Sequence, residues 1–202
     1  MAENPTYARI GFYTAKPGTL DAVLDRARKE LVPMMQAEPG FRRYTAVRTG
    51  PASIVSLSGW DTREQAEAAA TNLSAWVREV MGASVLSVAN HIAEVLSVTE
   101  ASTTPPVYGR VTDGQFPPGK AEEIRARAQT DFLPQLQKQP GFIRHVAFRP
   151  GPDRTITFMG FASREQLEAA EEATRSWREY VTPLATSTQR HAGEVVWAVR
   201  KD

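Results

Sequence analysis

The chain contains no cysteine. Disulfides, thiolate metal sites, cysteine nucleophiles and thiolate-ligated haem are therefore excluded outright. Histidine is scarce, with three in 202 residues. Neither sign of charge is in excess: 24 Lys and Arg stand against 23 Asp and Glu, a formal net charge of +1. That balance gives no electrostatic reason to expect nucleic acid or an anionic membrane as partner. No apolar run approaches the roughly 18 residues that cross a bilayer. The opening MAENPTYARI lacks the basic region and apolar core of a signal peptide. A cytoplasmic location is expected. Several catalytic signatures are missing as well. There is no phosphate-binding glycine loop, no GxGxxG, no HExxH, no clustered acidic metal box and no Gly-x-Ser-x-Gly.

What the chain does have is a duplication. QAEPGFRRYTAVRTGP starts at Gln36, and QKQPGFIRHVAFRPGP starts at Gln137. Sliding the chain over itself by 101 positions aligns Tyr7 with Tyr108, Arg9 with Arg110 and Trp76 with Trp177. One residue then drops out, and His91, Glu94 and Val95 meet His191, Glu194 and Val195. A match over that span is an internal repeat. The polar, proline-ended TEASTTPP reads as a linker. The expected bounds are a first repeat at 1–98, a linker at 99–106 and a second repeat at 107–202.

Each copy spells out the same elements. TYARIGFYTA is rich in aromatic and branched residues and reads as a strand. Leu20, Val23, Leu24, Ala27 and Leu31 fall at helical spacing, with Pro33 and Pro134 near the helix ends, where a bend or stop is expected. FRRYTAVR, the turn TGPAS and SIVSLSGW form a hairpin. Thr62-x-x-Gln65 and Ser163-x-x-Gln166 are capping boxes, each opening a second helix. HIAEVLSV and HAGEVVWAV are last strands. The order βαββαβ, twice, predicts an α+β protein of two ferredoxin-like repeats. Strands apolar on both faces need a second cover, and the two sheets can supply it to one another. The repeats are expected to pair within the chain as a barrel, which leaves room for a further homodimer.

The PGF before the second strand, the passage Gly59-Trp60-Asp61-Thr62-Arg63-Glu64 and the His-x-x-Glu-Val of the last strand resemble the antibiotic biosynthesis monooxygenase-like proteins of the dimeric α/β-barrel superfamily. The resemblance spans both copies and implies a tandem pseudo-dimer. It also implies a ligand pocket between each sheet and its own two helices. The superfamily includes cofactor-free oxygenases of aromatic polyketides and quinols, haem-degrading enzymes and members without known activity. Its haem-degrading branch places a histidine on the second helix and an asparagine on the first strand. This chain has neither.

Trp76 and Trp177 are either core anchors or aromatic walls for a flat substrate. His91 and His191 open the last strands, as a base, an iron ligand or a hydrogen-bonded strand end. His145 stands where the first copy has Tyr44, and Asn72 stands where the second has Ala173. Asp113 replaces Phe12, either as a proton acceptor or as a mark of an exposed strand end. Trp60 adds to the aromatic supply. Arg9 with Glu94, and Arg110 with Glu194, are expected cross-strand ion pairs. The favoured expectation is a cofactor-independent monooxygenase acting on a small aromatic or polyketide-like molecule. His91 would be its base, Asn72 and Tyr44 its oxyanion partners and Trp76 its stacking wall. Phe12, Trp60, Trp177, His145, Asp113 and His191 complete the expected substrate contacts. No cofactor and no metal are expected. The alternative is a non-catalytic binder of a small metabolite, or of haem through His91, His145 or His191.

Overall fold

The computed structural model describes residues 4–201. Residues 1–3 and 202, which the expected repeat bounds include, lie outside the described residues. The first repeat runs β1 (Tyr7–Ala15), α1 (Leu20–Arg26), α2 (Val32–Ala37), β2 (Phe41–Arg48), β3 (Ser53–Trp60), α3 (Arg63–Trp76) and β4 (Val85–Glu100). The second runs β5 (Tyr108–Gln115), α4 (Lys120–Arg127), α5 (Leu133–Leu136), β6 (Phe142–Gly151), β7 (Arg154–Phe161), α6 (Arg164–Ala173), α7 (Arg175–Val181) and β8 (Ser187–Arg200). The hydrogen-bonded strand order is β1-β3-β2-β8-β5-β7-β6-β4, and β4 pairs back onto β1. This is the expected α+β fold: two ferredoxin-like repeats joined in one closed eight-stranded order.

Pro33 neither stops nor breaks its helix. A proline has no N–H and its ring crowds the carbonyl four residues back. The chain absorbs both problems in a widened π-helical turn, Ala27–Leu31, where the Val32 N–H bonds the Ala27 carbonyl five residues behind. Pro134 repeats the device through Ala128–Phe132, which links α4 to α5. The PGF turns need glycine. Gly40 and Gly141 hold φ of 74° and 72°, and a Cβ there would sit 1.9 and 2.0 Å from the amide oxygens of Gln65 and Gln166. Gln65 completes a full capping box, its Oε1 accepting from the Thr62 N–H at 3.1 Å. In the second copy only half forms. Ser163 accepts from the Gln166 N–H, but Gln166 Oε1 is buried without a partner.

The chain divides into two compact units. One takes everything up to Val95 together with everything from Val195 onward; the other is Leu96–Glu194. The end of β4 thus belongs with the second repeat and the end of β8 with the first. The linker expected at 99–106 begins as strand, since β4 reaches Glu100 and the Ala101 N–H bonds the Ile143 carbonyl at 2.9 Å.

Strand alternation sorts the side chains. In the first unit Arg9, Tyr13, Ser56 and Trp60 face the helices, where Met35, Phe41 and Leu73 form the core. Ile10 and Phe12 point the other way. In the second unit Arg110, Thr112 and Gly114 face the helices, and Val111 and Asp113 do not. Leu136, Phe142, Phe161 and Leu167 are its core. Among the described residues no helix is long and apolar enough to cross a membrane.

Candidate functional site

The space between sheet and helices is filled in the first unit and open in the second. Over its core the first retains a cavity of about 50 Å³, with a second, shallower one of about 380 Å³ at the end of α3 and the start of β4, lined by Tyr13, Val77 and Arg78; the second unit has one of about 350 Å³ over its core. Aligned residues account for the difference. Tyr13, Leu73 and Trp197 fill the first space. Their counterparts in the second are Gly114, Thr174 and Ser97. Trp197 and Ser97 arrive on the ends of β8 and β4. The helix over the open cavity is also interrupted: Thr174 leaves helical geometry at φ −107°, ψ 22°, separating α6 from α7. The equivalent α3 runs unbroken from Arg63 to Trp76.

The open cavity has an aromatic wall. Trp177 stacks on Phe132 at 5.4 Å and 20°, and Phe132 meets the edge of His145 at 5.8 Å. Against this wall stand two buried polar groups that the protein does not satisfy. His145 is 3% exposed and its Nδ1 has no partner. Burial, and secondarily the charge of Arg110, push its pKa down to about 4, so the imidazole is neutral at pH 7. Arg110 pairs with Glu171 on α6 and donates through Nη2 to the Met159 sulfur at 3.4 Å, yet its Nε is buried without an acceptor. Burial first, then Arg190 and Arg178, lower its pKa to about 9. Ser97 Oγ is a third unpartnered buried atom at this cavity.

The aligned arginine of the first unit is the informative contrast. Arg9 is fully buried, and its Nε and Nη2 donate to Asn90 Oδ1 at 3.1 and 2.5 Å. Its Nη1 donates to Ser56 Oγ at 2.8 Å, and the guanidinium lies 5.3 Å from the Tyr13 ring. One copy of the buried arginine is closed off by its own protein. The other keeps a buried Nε without an acceptor on a residue that lines the cavity, and such a donor is costly unless an acceptor reaches it.

Of the residues expected to form a site, His145 and Trp177 line this cavity together. Tyr44 is a core residue of the first unit, 2% exposed, with its ring 5.7 Å from Trp197. Burial raises its hydroxyl pKa, and the neighbouring Arg9 opposes the rise. Trp76 packs half-buried on the same core and donates Nε1 to Glu30 at 3.3 Å. Trp60 is fully buried, donates to Ser58 Oγ at 3.0 Å and meets the edge of Phe41. It is packing. Asn72 is exposed and bonds Glu38 at 2.8 Å rather than joining Trp76. His91 is opposite Ile10 in the β1–β4 register, on the face away from the helices, where its ring meets Phe12 at 6.0 Å. The expected grouping of His91, Asn72, Tyr44 and Trp76 is therefore not assembled: one residue of strand register turns His91 to the other face. His191, opposite Val111, is turned the same way. Asp113 is not an exposed strand end. It accepts from Arg154 at 2.8 and 2.5 Å with its side chain 13% exposed.

The expected Arg–Glu cross-strand pairs are replaced for the same reason of register. Glu94 stands opposite Tyr7 and Glu194 opposite Tyr108, two positions from each arginine. Sequence reasoning missed Arg110, Ser97, Arg178 and Arg190 as cavity residues. For Ser97 and Arg178 the signal was the substitution between copies, against Trp197 and Val77; Arg110 and Arg190, aligned with Arg9 and Asn90, carried no such signal. Among the described residues no group of three or more His, Asp or Glu is arranged to hold a metal ion.

Two βαββαβ repeats in a closed strand order, with a ligand-sized space between one sheet and its helices, define a dimeric α/β-barrel type of protein. The model of the antibiotic biosynthesis monooxygenase family matches residues 6–74, within the first repeat. Among solved structures, the chain is similar to a "putative monooxygenase" of Fusobacterium nucleatum. Identity is 9%, coverage is 100% of this chain and 96% of that one, and the TM-score is 0.76. An anthrone oxidase-like protein matches at 16% identity over 98% and 94% of the two chains, with a TM-score of 0.70. A chlorite dismutase of Candidatus Nitrospira defluvii matches at 12% identity over 96% and 92%, with a TM-score of 0.63. At these identities the likeness is one of fold. No curated protein sequence matches the chain.

Proposed function

We propose that the protein is a cofactor-independent monooxygenase of a small aromatic molecule, and that the cavity of the second unit is its active site. One observation carries this reading: unpartnered Arg110 Nε and His145 Nδ1 sit at a cavity walled by stacked Trp177 and Phe132. The volume of about 350 Å³ suits a small ligand. The family match and the anthrone oxidase-like neighbour support the same class.

A phenol or anthrone stacked on Trp177 would direct its oxygen to Arg110. The guanidinium stabilises the oxyanion in a partly dry site, where a positioned donor counts for most. His145, held near pKa 4, is a weak base for a free phenol. The adjoining guanidinium offsets this by lowering the substrate's own pKa. With the proton on His145 Nδ1, the electron-rich ring carbon passes an electron to dioxygen. Recombination forms the C–O bond of a peroxide anion, which takes the proton back from His145 to become a hydroperoxide, and loss of water leaves a carbonyl. A CH₂ and O₂ become C=O and H₂O, so no external reductant is required.

Haem fits the residues poorly. Only His145 of the three histidines lines the cavity, it is 3% exposed, and no helix carries a histidine. The test is oxygen uptake on a panel of anthrones and quinols, with a haemin titration alongside. The expected result is uptake in the wild type, reduced at least about 100-fold in Arg110→Gln, the usual cost of a lost oxyanion donor. Equal uptake by both proteins, no uptake at all, or a one-to-one Soret shift with haemin would each overturn the reading.

A further inference from the structure

We infer that the ligand of this cavity carries an anionic group, a carboxylate on its aromatic frame, held by Arg178 and Arg190 beside Arg110. The inference rests on reading the second-unit cavity as the ligand site. Five arginines line it against two glutamates. Both glutamates are already engaged, Glu122 by Arg125 and Glu171 by Arg110. The guanidinium groups of Arg178 and Arg190 have no ion-pair or hydrogen-bond partner among the described residues; the Arg178 backbone is bonded to Thr174 and Thr182.

The register explains why these charges converge. Arg190 stands opposite Thr112 in the β5–β8 ladder, which puts it diagonal to Arg110 on the same face. Arg178 reaches the cavity from α7. Like charges so arranged repel: burial first, then Arg190 and Arg178, lower the Arg110 pKa, and burial first, then Arg178, lower that of Arg190. The first unit avoids it. At the aligned positions it has Val77 and Asn90, and Asn90 accepts from Arg9. The second unit lacks that acceptor, carries two additional cations and leaves the buried Arg110 Nε without an acceptor. An anion supplies what is missing: it accepts from the guanidinium groups in the paired geometry that carboxylates and arginines favour, and it removes the repulsion.

Calorimetric titration with 1-hydroxy-2-naphthoate and with the isosteric 1-hydroxy-2-naphthamide tests the inference. The acid is expected to bind at least about tenfold more tightly than the amide, a modest return for charge-assisted bonds. In Arg178→Gln and Arg190→Gln that preference should shrink by about tenfold while amide affinity stays within about twofold. Both side chains reach solvent, and a thermal melt checks each fold. Equal binding of acid and amide, an equal loss of both in the variants, or no binding of either overturns the inference. The two proposals fail separately. Oxygen uptake on neutral anthrones without acid preference leaves the oxygenase and removes the anion site. Acid preference without oxygen uptake does the reverse.

Discussion

His145 should make stability depend on pH in a window where few other groups titrate. Its imidazole has an ordinary pKa of 6.5 and is held at about 4 by burial and by Arg110. Between those values the unfolded chain takes up a proton that the folded chain refuses. The folded state is therefore penalised as pH falls: the stability contribution is complete above 6.5 and is lost progressively toward 4. The full difference corresponds to about 3 kcal/mol, of which about 2.5 should be gone by pH 4.5. His145→Tyr, which borrows the residue of the first repeat, has no such proton to take up. Urea unfolding of both proteins from about pH 7.5 to 4.5 isolates the effect, because carboxylates and His191 titrate alike in the two. The wild type should lose about 2.5 kcal/mol relative to the variant. Parallel curves, or a proton-resonance titration of His145 with a midpoint near 6.5, would refute the buried neutral imidazole on which the proposed chemistry depends.

Other expectations follow from the contrast between the units. Gly114→Tyr restores the ring that Tyr13 contributes to the first unit. A Cβ there meets the Phe116 ring at 3.0 Å, so ligand binding should vanish at a cost of about 1–3 kcal/mol in a urea melt. Arg190→Asn copies Asn90 and should raise the stability of the ligand-free protein by about 1 kcal/mol while weakening binding of an aromatic acid. Trp60→Ala should cost about 3–5 kcal/mol, since the indole is fully buried and hydrogen-bonded to Ser58. Thr62→Ala opens a complete capping box and should cost about 1 kcal/mol.

The fold was legible because duplication supplied two readings of one pattern. Strand alternation, helical spacing and the turn glycines at Gly40 and Gly141 agree between copies. The site was less legible, because it depends on details that such a pattern does not carry. One residue of register decides whether His91 faces the helices or turns away, and two residues separate Arg9 from Glu94. Of the bend or stop that Pro33 signals, only the stop is absent, since a π-helical turn accommodates the proline and the helix continues to Ala37. Asp113 looked exposed beside Gly114 until Arg154, distant in sequence, closed on it. The decisive differences, Tyr13 against Gly114 and Trp197 against Ser97, were present in the repeat alignment. Their meaning required knowing that the ends of β4 and β8 pack with the other repeat's elements.

If ligand chemistry belongs to the second unit and the first is filled for stability, removing the polar group of each should have opposite consequences. The most direct measurement is oxygen uptake on the anthrone and quinol panel by His145→Phe and Tyr44→Phe, substitutions at the aligned positions. His145→Phe should abolish uptake, and Tyr44→Phe should leave it within about twofold of wild type. Uptake retained in His145→Phe and lost in Tyr44→Phe would move the site to the first unit and rule out the second-unit cavity as the active site.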